Sequence, residues 1–179
     1  MGKSSVSNIL KKNKMAYQRL QVNNSIDVIP SDTVGIPDPA TFVLTQAGTN
    51  MSAVAGTVTG TGFENKGILQ GAILYALSSQ KAYTVVSVDS DTELTVTPAV
   101  AASASEGIVI YNSATLGASL YVGVLGNVSV EMASQRNAGA VTGLNPALFS
   151  NVAQGSFMPI LVTRVNATAT TSTLIKALF

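Results

Sequence analysis

From residue 52 onward, apolar and polar positions alternate with a period of two over short runs. In Thr92-Glu93-Leu94-Thr95-Val96 the alternation puts Leu94 and Val96 on one face. Val128, Val130 and Met132 alternate in the same way with Asn127, Ser129 and Glu131. The runs 73–77, 83–88 and 107–111, and Leu120-Tyr121-Val122, read as further strands. So do Ile160 to Val165 and Leu174 to Phe179, which predict the last two. Gly56 to Phe63 has the Gly, Thr and Val content of a strand ending in a turn, and Asp89-Ser90-Asp91 joins two strands as a hairpin. Short strands about every 8–12 residues, separated by turn residues, predict an all-β protein: an antiparallel sandwich or barrel.

The first part of the chain reads differently. In residues 1–22, Val6, Ile9, Leu10, Tyr17 and Leu20 fall near helical spacing, with Ser5 or Ser7 as a cap, so a short helix or an extended arm is expected. Between residues 23 and 50, Pro30, Pro37 and Pro39 suppress helix, and Ser31-Asp32-Thr33 offers side-chain bonds to the backbone of a turn. Ile26, Val28, Val34 and Ile36 predict short edge strands, and residues 41–45 another strand. Ser134 to Pro146, with Gly139 and Gly143, reads as a loop between strands, a usual place for contacts.

Composition bears on what such a protein does. Only 11% of the 179 residues are charged and 46% are hydrophobic, against roughly 25% charged in an ordinary soluble domain. A surface so poor in charge suits a subunit covered by partners. Charge is also unevenly placed. Residues 1–20 carry Lys3, Lys11, Lys12, Lys14 and Arg19 and no acid, whereas the rest has five basic and nine acidic residues, a net of −4. The basic segment is expected to dock onto an acidic neighbour or to stay solvated. With one Tyr among five cations it is too thin a footprint for a nucleic-acid partner. No apolar run reaches the roughly 20 residues that cross a bilayer, and none of signal-peptide length follows the N-terminal lysines. No membrane partner is expected, and folding is expected in the cytoplasm.

Little points to catalysis. Cys, His and Trp are absent, which excludes disulfides, thiolate metal sites and any nucleophile–His site built from this chain alone. Asp89, Asp91 and Glu93 alternate as in a calcium loop, but the positions that need Gly and Glu hold Leu94 and Val100. Gly60-Thr61-Gly62-Phe63-Glu64-Asn65-Lys66-Gly67 lacks the Gly-Lys-Ser/Thr order of a phosphate loop. Nothing singles out two of the nine acids as a glycosidase pair. The expectation is a protein that is not an enzyme and carries no cofactor and no metal.

Three stretches resemble a family of small phage structural proteins that includes the head spike base protein of gene transfer agents. They are Ile29-Pro30-Ser31-Asp32-Thr33; Leu120-Tyr121-Val122-Gly123 with Gly126-Asn127-Val128-Ser129-Val130; and a long C-terminal one. The last holds Phe149-Ser150-Asn151-Val152, Gly155-Ser156-Phe157-Met158-Pro159-Ile160, Arg164-Val165, Ala167-Thr168, Thr170-Thr171 and Ile175-Lys176-Ala177-Leu178-Phe179. Family members often run from the first stretch almost directly into the second. Here residues 52–113 intervene, and they look like a small β-module of virion fibre and decoration proteins. The organisation expected is therefore a basic arm (1–22), a main β-domain (23–51 and 114–179) and an inserted β-module (52–113).

The resemblance implies a bacteriophage virion subunit: a head decoration, cement or spike-base protein located in the virion after assembly in the bacterial cytoplasm. Its partners would be the major capsid protein or another virion protein and copies of itself, as a trimer or pentamer. A tail-fibre adaptor or a baseplate or neck subunit is one alternative, and a module binding host-surface glycans another. The residues expected to carry interactions are Lys11, Lys12, Lys14, Tyr17 and Arg19 of the arm, and Phe179. Ile175, Ala177 and Phe179 share one face of the last strand, and a terminus this apolar is expected to be buried in the core or in a neighbour.

Overall fold

Leu94 and Val96, which alternation places on one face, point into the interior of a closed barrel. The computed structural model describes residues 22–52, 56–100, 102–133 and 146–179. Six of its strands make the barrel: β2 (Phe42–Ser52), β3 (Thr57–Thr59), β4 (Ile73–Ala76), β5 (Lys81–Ser90), β6 (Glu93–Thr97) and β7 (Ser103–Tyr111). They run antiparallel in the order β2-β3-β6-β5-β4-β7, and β7 closes on β2. Closure leaves no open edge. Leu44, Val58, Leu74, Val85, Leu94, Ile108 and Ile110 fill the interior. Phe63, fully buried, comes from the loop between β3 and β4 and is fixed there by its N–H, which donates to Asp91 O at 2.9 Å.

The other six strands form an open antiparallel sheet. These are β1 (Ser25–Asp27), β8 (Ala118–Val122), β9 (Gly126–Met132), β10 (Ala147–Val152), β11 (Ser156–Val165) and β12 (Ile175–Leu178). The order is β1-β12-β8-β11-β9-β10, so its two edges are β1 and β10. One face is apolar: Leu120 and Val122, Val128 and Val130, Met158 and Val162, and Ile175 and Ala177 are all buried there, with Val28 and Ile36 packed on them. At Gly126 the chain of residues 171–172 lies so close that a Cβ would meet Ser172 N at 2.5 Å, so only glycine fits.

Barrel and sheet meet side by side through a third cluster, Ile29, Val34, Ile73, Tyr75 and Ala82, flanked by Ala114. This contact explains why every residue of β4 is buried: one face lines the barrel and the other packs on the sheet unit. The chain enters and leaves the barrel at adjacent points, since Phe42 is the register partner of Tyr111, and Asn112 N–H donates to Thr41 O at 2.9 Å.

The structure is thus all-β, with a barrel and a second antiparallel sheet. One boundary and one strand differ from those expected. Residues 42–51 were assigned to the main domain with the C-terminal part, yet β2 pairs with β3 and β7 inside the barrel. The reason is closure: without β2, β3 and β7 would have no neighbour on one side. Residues 147–152 carried no strand expectation but form β10, paired with β9. Residues 1–21, which hold the expected helix or arm, and most of the 134–146 loop lie outside the described residues.

Candidate functional site

The outer face of the open sheet is unusual for a solvated surface. Outward positions of an antiparallel sheet normally carry polar side chains. On β11 they carry Phe157, Pro159 and Leu161, and Phe157 and Leu161 are 53% and 59% exposed. Phe157 is the register partner of the exposed Tyr121 on β8, so the two residues stand opposite one another on neighbouring strands. Leu116, 81% exposed, lies in the turn before β8, next to Gly117, at which a Cβ would touch the Leu161 side chain. Leu148 on β10 adds a further exposed apolar side chain. Apolar residues at both alternating positions are what a sheet needs when each face is covered by something.

A second feature lies between the edge strand β1 and the barrel wall. An open groove of about 630 Å³ is lined by β1 and the residues after it, by Tyr75 and Leu77, by Val109 and Tyr111, and by Leu174 to Lys176. Lys176 pairs with Asp27 at its rim. Tyr75, 4% exposed, stacks edge-to-face on Tyr111, which stacks likewise on Phe42, with ring centroids 6.4 and 6.0 Å apart. The Tyr75 hydroxyl faces the Ile29 backbone but not at hydrogen-bonding geometry, and it has no hydrogen-bond partner among the described residues. Burial pushes its pKa far up, so it stays a neutral donor. A buried hydroxyl left so costs about 1–3 kcal/mol.

The carboxylates are tied into the fold. Thr168 donates to Asp32 through both its N–H and its hydroxyl, each at 2.9 Å, and its N–H is the main cause that holds the Asp32 carboxyl below its ordinary value. Ser31 N–H donates to Val165 O at 2.9 Å, so the Pro-Ser-Asp-Thr loop is sewn onto the C-terminal stretch. Arg164 bridges to Glu131 at 2.6 Å across β11 and β9 and donates through Nε to the buried Asn166. Asp89 accepts from Ser87 and Thr95 hydroxyls at 2.7 Å, and these bonds depress its pKa. Asp91 accepts from Asn65. Asp89 and Asp91 are thus bonded within the barrel, and no group of three or more metal-ligating side chains occurs among the described residues.

Lys11, Lys12, Lys14, Tyr17 and Arg19 lie outside the described residues. Phe179 is half-buried against the core of its own sheet, and its backbone exchanges bonds with Asn23 and Asn24 on the strand beside it. Ile175 and Ala177 are buried in the same core. The arm and Phe179 are therefore not brought together by anything described. Sequence reasoning passed over Tyr121, Phe157 and Leu161 as interaction residues. The signal was present: Leu120-Tyr121-Val122 and Phe157 to Leu161 are apolar at consecutive positions, which a one-faced sheet does not need. The groove has no such signal, because residues from four separate segments line it. Comparison of the chain with protein-family models, curated proteins and solved structures finds no match.

Proposed function

We propose that this chain is a non-enzymatic structural subunit of a bacteriophage virion, a head decoration, cement or spike-base protein that works by packing against copies of itself and the neighbouring shell. The observation that carries the reading is the exposed apolar stripe Tyr121, Phe157 and Leu161 on a sheet whose other face is already a core. Such a patch marks an interaction site, and a chain only 11% charged has little with which to keep it solvated. Support also comes from where the family-like stretches lie. The Pro-Ser-Asp-Thr loop is bonded to residues 165–168, and β8 of the Leu-Tyr-Val-Gly stretch pairs with both β11 and β12. The second and third stretches supply strands of one sheet, the first is a loop bonded to it, and the barrel is a separate closed unit.

On this reading, copies associate around a closed symmetry axis as a trimer or pentamer. Lys11, Lys12, Lys14, Tyr17 and Arg19 of the arm reach onto the major capsid protein, and many weak repeated contacts sum to firm attachment. Protein composition of purified particles tests this. A head subunit is present in a copy number set by the shell's symmetry, a tail subunit in a few copies, and absence from particles would sink the proposal. Deletion of residues 1–20 is expected to weaken retention on particles at raised salt while the body stays folded. Full retention of the truncated protein under those conditions removes the arm's role.

A further inference from the structure

We infer that the β10 edge of the open sheet is a contact between two copies of this chain, in which β10 pairs antiparallel with the β10 of a second copy about a two-fold axis at Leu148. This goes beyond the virion reading above and is a property of the purified chain.

The direction of the backbone comes first. In an antiparallel pair, successive residues turn their N–H and C=O groups alternately toward the partner strand and away from it. β10 lies against β9 with Ala147 opposite Val130, Leu148 opposite Ser129 and Phe149 opposite Val128. Ser129 spends its backbone groups on the far side from β10. Its N–H donates to Thr170 Oγ1 at 2.9 Å, and its carbonyl accepts from Asn166 N–H at 2.8 Å. Asn127 does the same with Thr171. Val128 and Val130 therefore turn their groups toward β10, and Leu148, opposite Ser129, turns its N–H and C=O outward. Neither group has a partner among the described residues. A donor and an acceptor aimed off a sheet edge are what an added strand bonds.

The two edges of the sheet differ. β1 looks across a groove onto the barrel wall, which blocks a second sheet, and its exposed Asp27 is paired with Lys176. β10 pairs with β9 alone. No charged residue occurs from Pro146 to Thr163, a stretch that holds β10 and most of β11. Wet sheet edges are usually guarded by charge. Here a bulge between Phe149 and Val152 leaves Ala147 to Phe149 as the straight, pairing stretch.

That stretch is its own complement. Centred on Leu148, two copies of it exchange two N–H···O bonds, from Leu148 to Leu148 in each direction. Ala147 of each copy then stands opposite Phe149 of the other, small against large. Both lie on the core side, where they are only half-buried because the core is open at this edge. Leu148, 51% exposed, meets its counterpart on the outer side. With no charge on either strand, nothing repels the second copy. Three residues a side fall well short of the roughly 20–30 of a stable interface, so the pairing is weak alone and grows with concentration. A two-fold contact joins one ring of copies to the next rather than closing a ring.

The chain has no cysteine, so one introduced residue reports on the axis. Opposite residues of a bonded pair lie about 5.5 Å apart at Cα, within disulfide reach. Full-length Leu148→Cys is expected to form a disulfide-linked dimer on mild oxidation in concentrated solution, with the 148–148 link found by peptide mapping. Leu69→Cys, similarly exposed on the loop before β4 of the barrel, is expected to link at least about tenfold more slowly. No dimer from Leu148→Cys, or one that forms no faster than from Leu69→Cys, overturns the inference. The unaltered protein gives a second reading. Exchange of the Leu148 amide is expected to slow about tenfold from dilute to concentrated protein, while the amides of Ala147 and Phe149, bonded to β9, keep their rates. A Leu148 amide already slow in dilute protein means that the edge is covered within one chain. One that stays fast at every concentration means that it is never covered. Either result overturns the contact and leaves the virion reading standing, because that reading is decided by the composition of particles.

Discussion

Glu106 is the residue whose environment departs furthest from expectation for its type. It lies on β7 with no exposed surface, in a chain with few charges to spare. Its carboxylate accepts from the backbone N–H groups of Ser78 and Ser79, in the turn that joins β4 to β5. Thr49, buried on β2, donates to the Glu106 carbonyl at 2.8 Å. One buried side chain thus ties the turn between β4 and β5 to β7. Burial alone would push its carboxyl up. The N–H groups and hydroxyls of Ser78 and Ser79 outweigh burial and hold it below the ordinary 4.5. A carboxyl depressed in the fold contributes stability fully above its unfolded pKa, and that contribution is lost as pH falls through the lower folded value. Glu106→Gln keeps the shape and loses the charge. Its unfolding free energy in urea is expected to lie below the parent's at pH 7, by about 1–2 kcal/mol, and the gap to close as pH falls from the ordinary 4.5 through the lower folded value. A constant gap down to low pH would show that the carboxylate is not what holds the turn. Asp32 and Asp89 are depressed as well, so the variant retains some acid sensitivity.

Elements explain what was readable in the sequence. Where a strand has one face buried and one wet, alternation reveals it, as at β6, with Leu94 and Val96 inward and Glu93 and Thr97 exposed. β10 escaped because Leu148 faces out and Ala147, Phe149 and Val152 are only half-buried at the sheet's edge, so it shows no clean period. The start of the barrel was misplaced for a related reason. β2 carries bulges against β7, and each bulge resets the alternation along its eleven residues. No local pattern shows that Phe63, in a Gly-rich turn, closes the barrel. Its burial follows from closure, with Gly60 so near that a Cβ would meet its ring at 2.5 Å. Phe63→Ala is expected to cost about 3–5 kcal/mol in denaturant unfolding, the loss typical of a buried aromatic ring. A loss below about 1 kcal/mol would mean that the turn, not the ring, closes that end.

At the scale of the whole molecule, the barrel core, the sheet core and the cluster between them hold the buried apolar residues. The sheet's outer face lies outside all three. The inward residues of β8 and β11 already complete the fold, so Tyr121, Phe157 and Leu161 add nothing to the chain's own core. Apolar surface that does not serve folding is stabilised only by covering it, at roughly 25 cal/mol for each Å² removed from water. That separation of roles makes the face testable without unfolding the protein. The double variant Tyr121→Lys with Phe157→Glu places a cross-strand ion pair where two rings now stand, and leaves Leu120, Val122 and Met158 in the core untouched. Its thermal midpoint as a monomer is expected to stay within a few degrees of the parent's. Its self-association, followed by sedimentation across concentration, is expected to weaken at least about tenfold. If the variant assembles as the parent does, the outer face is solvent-facing despite its composition, and copies must join through another surface. If instead it loses its fold along with its assembly, the face belongs to the core, and the division between folding and binding surfaces drawn from burial fails.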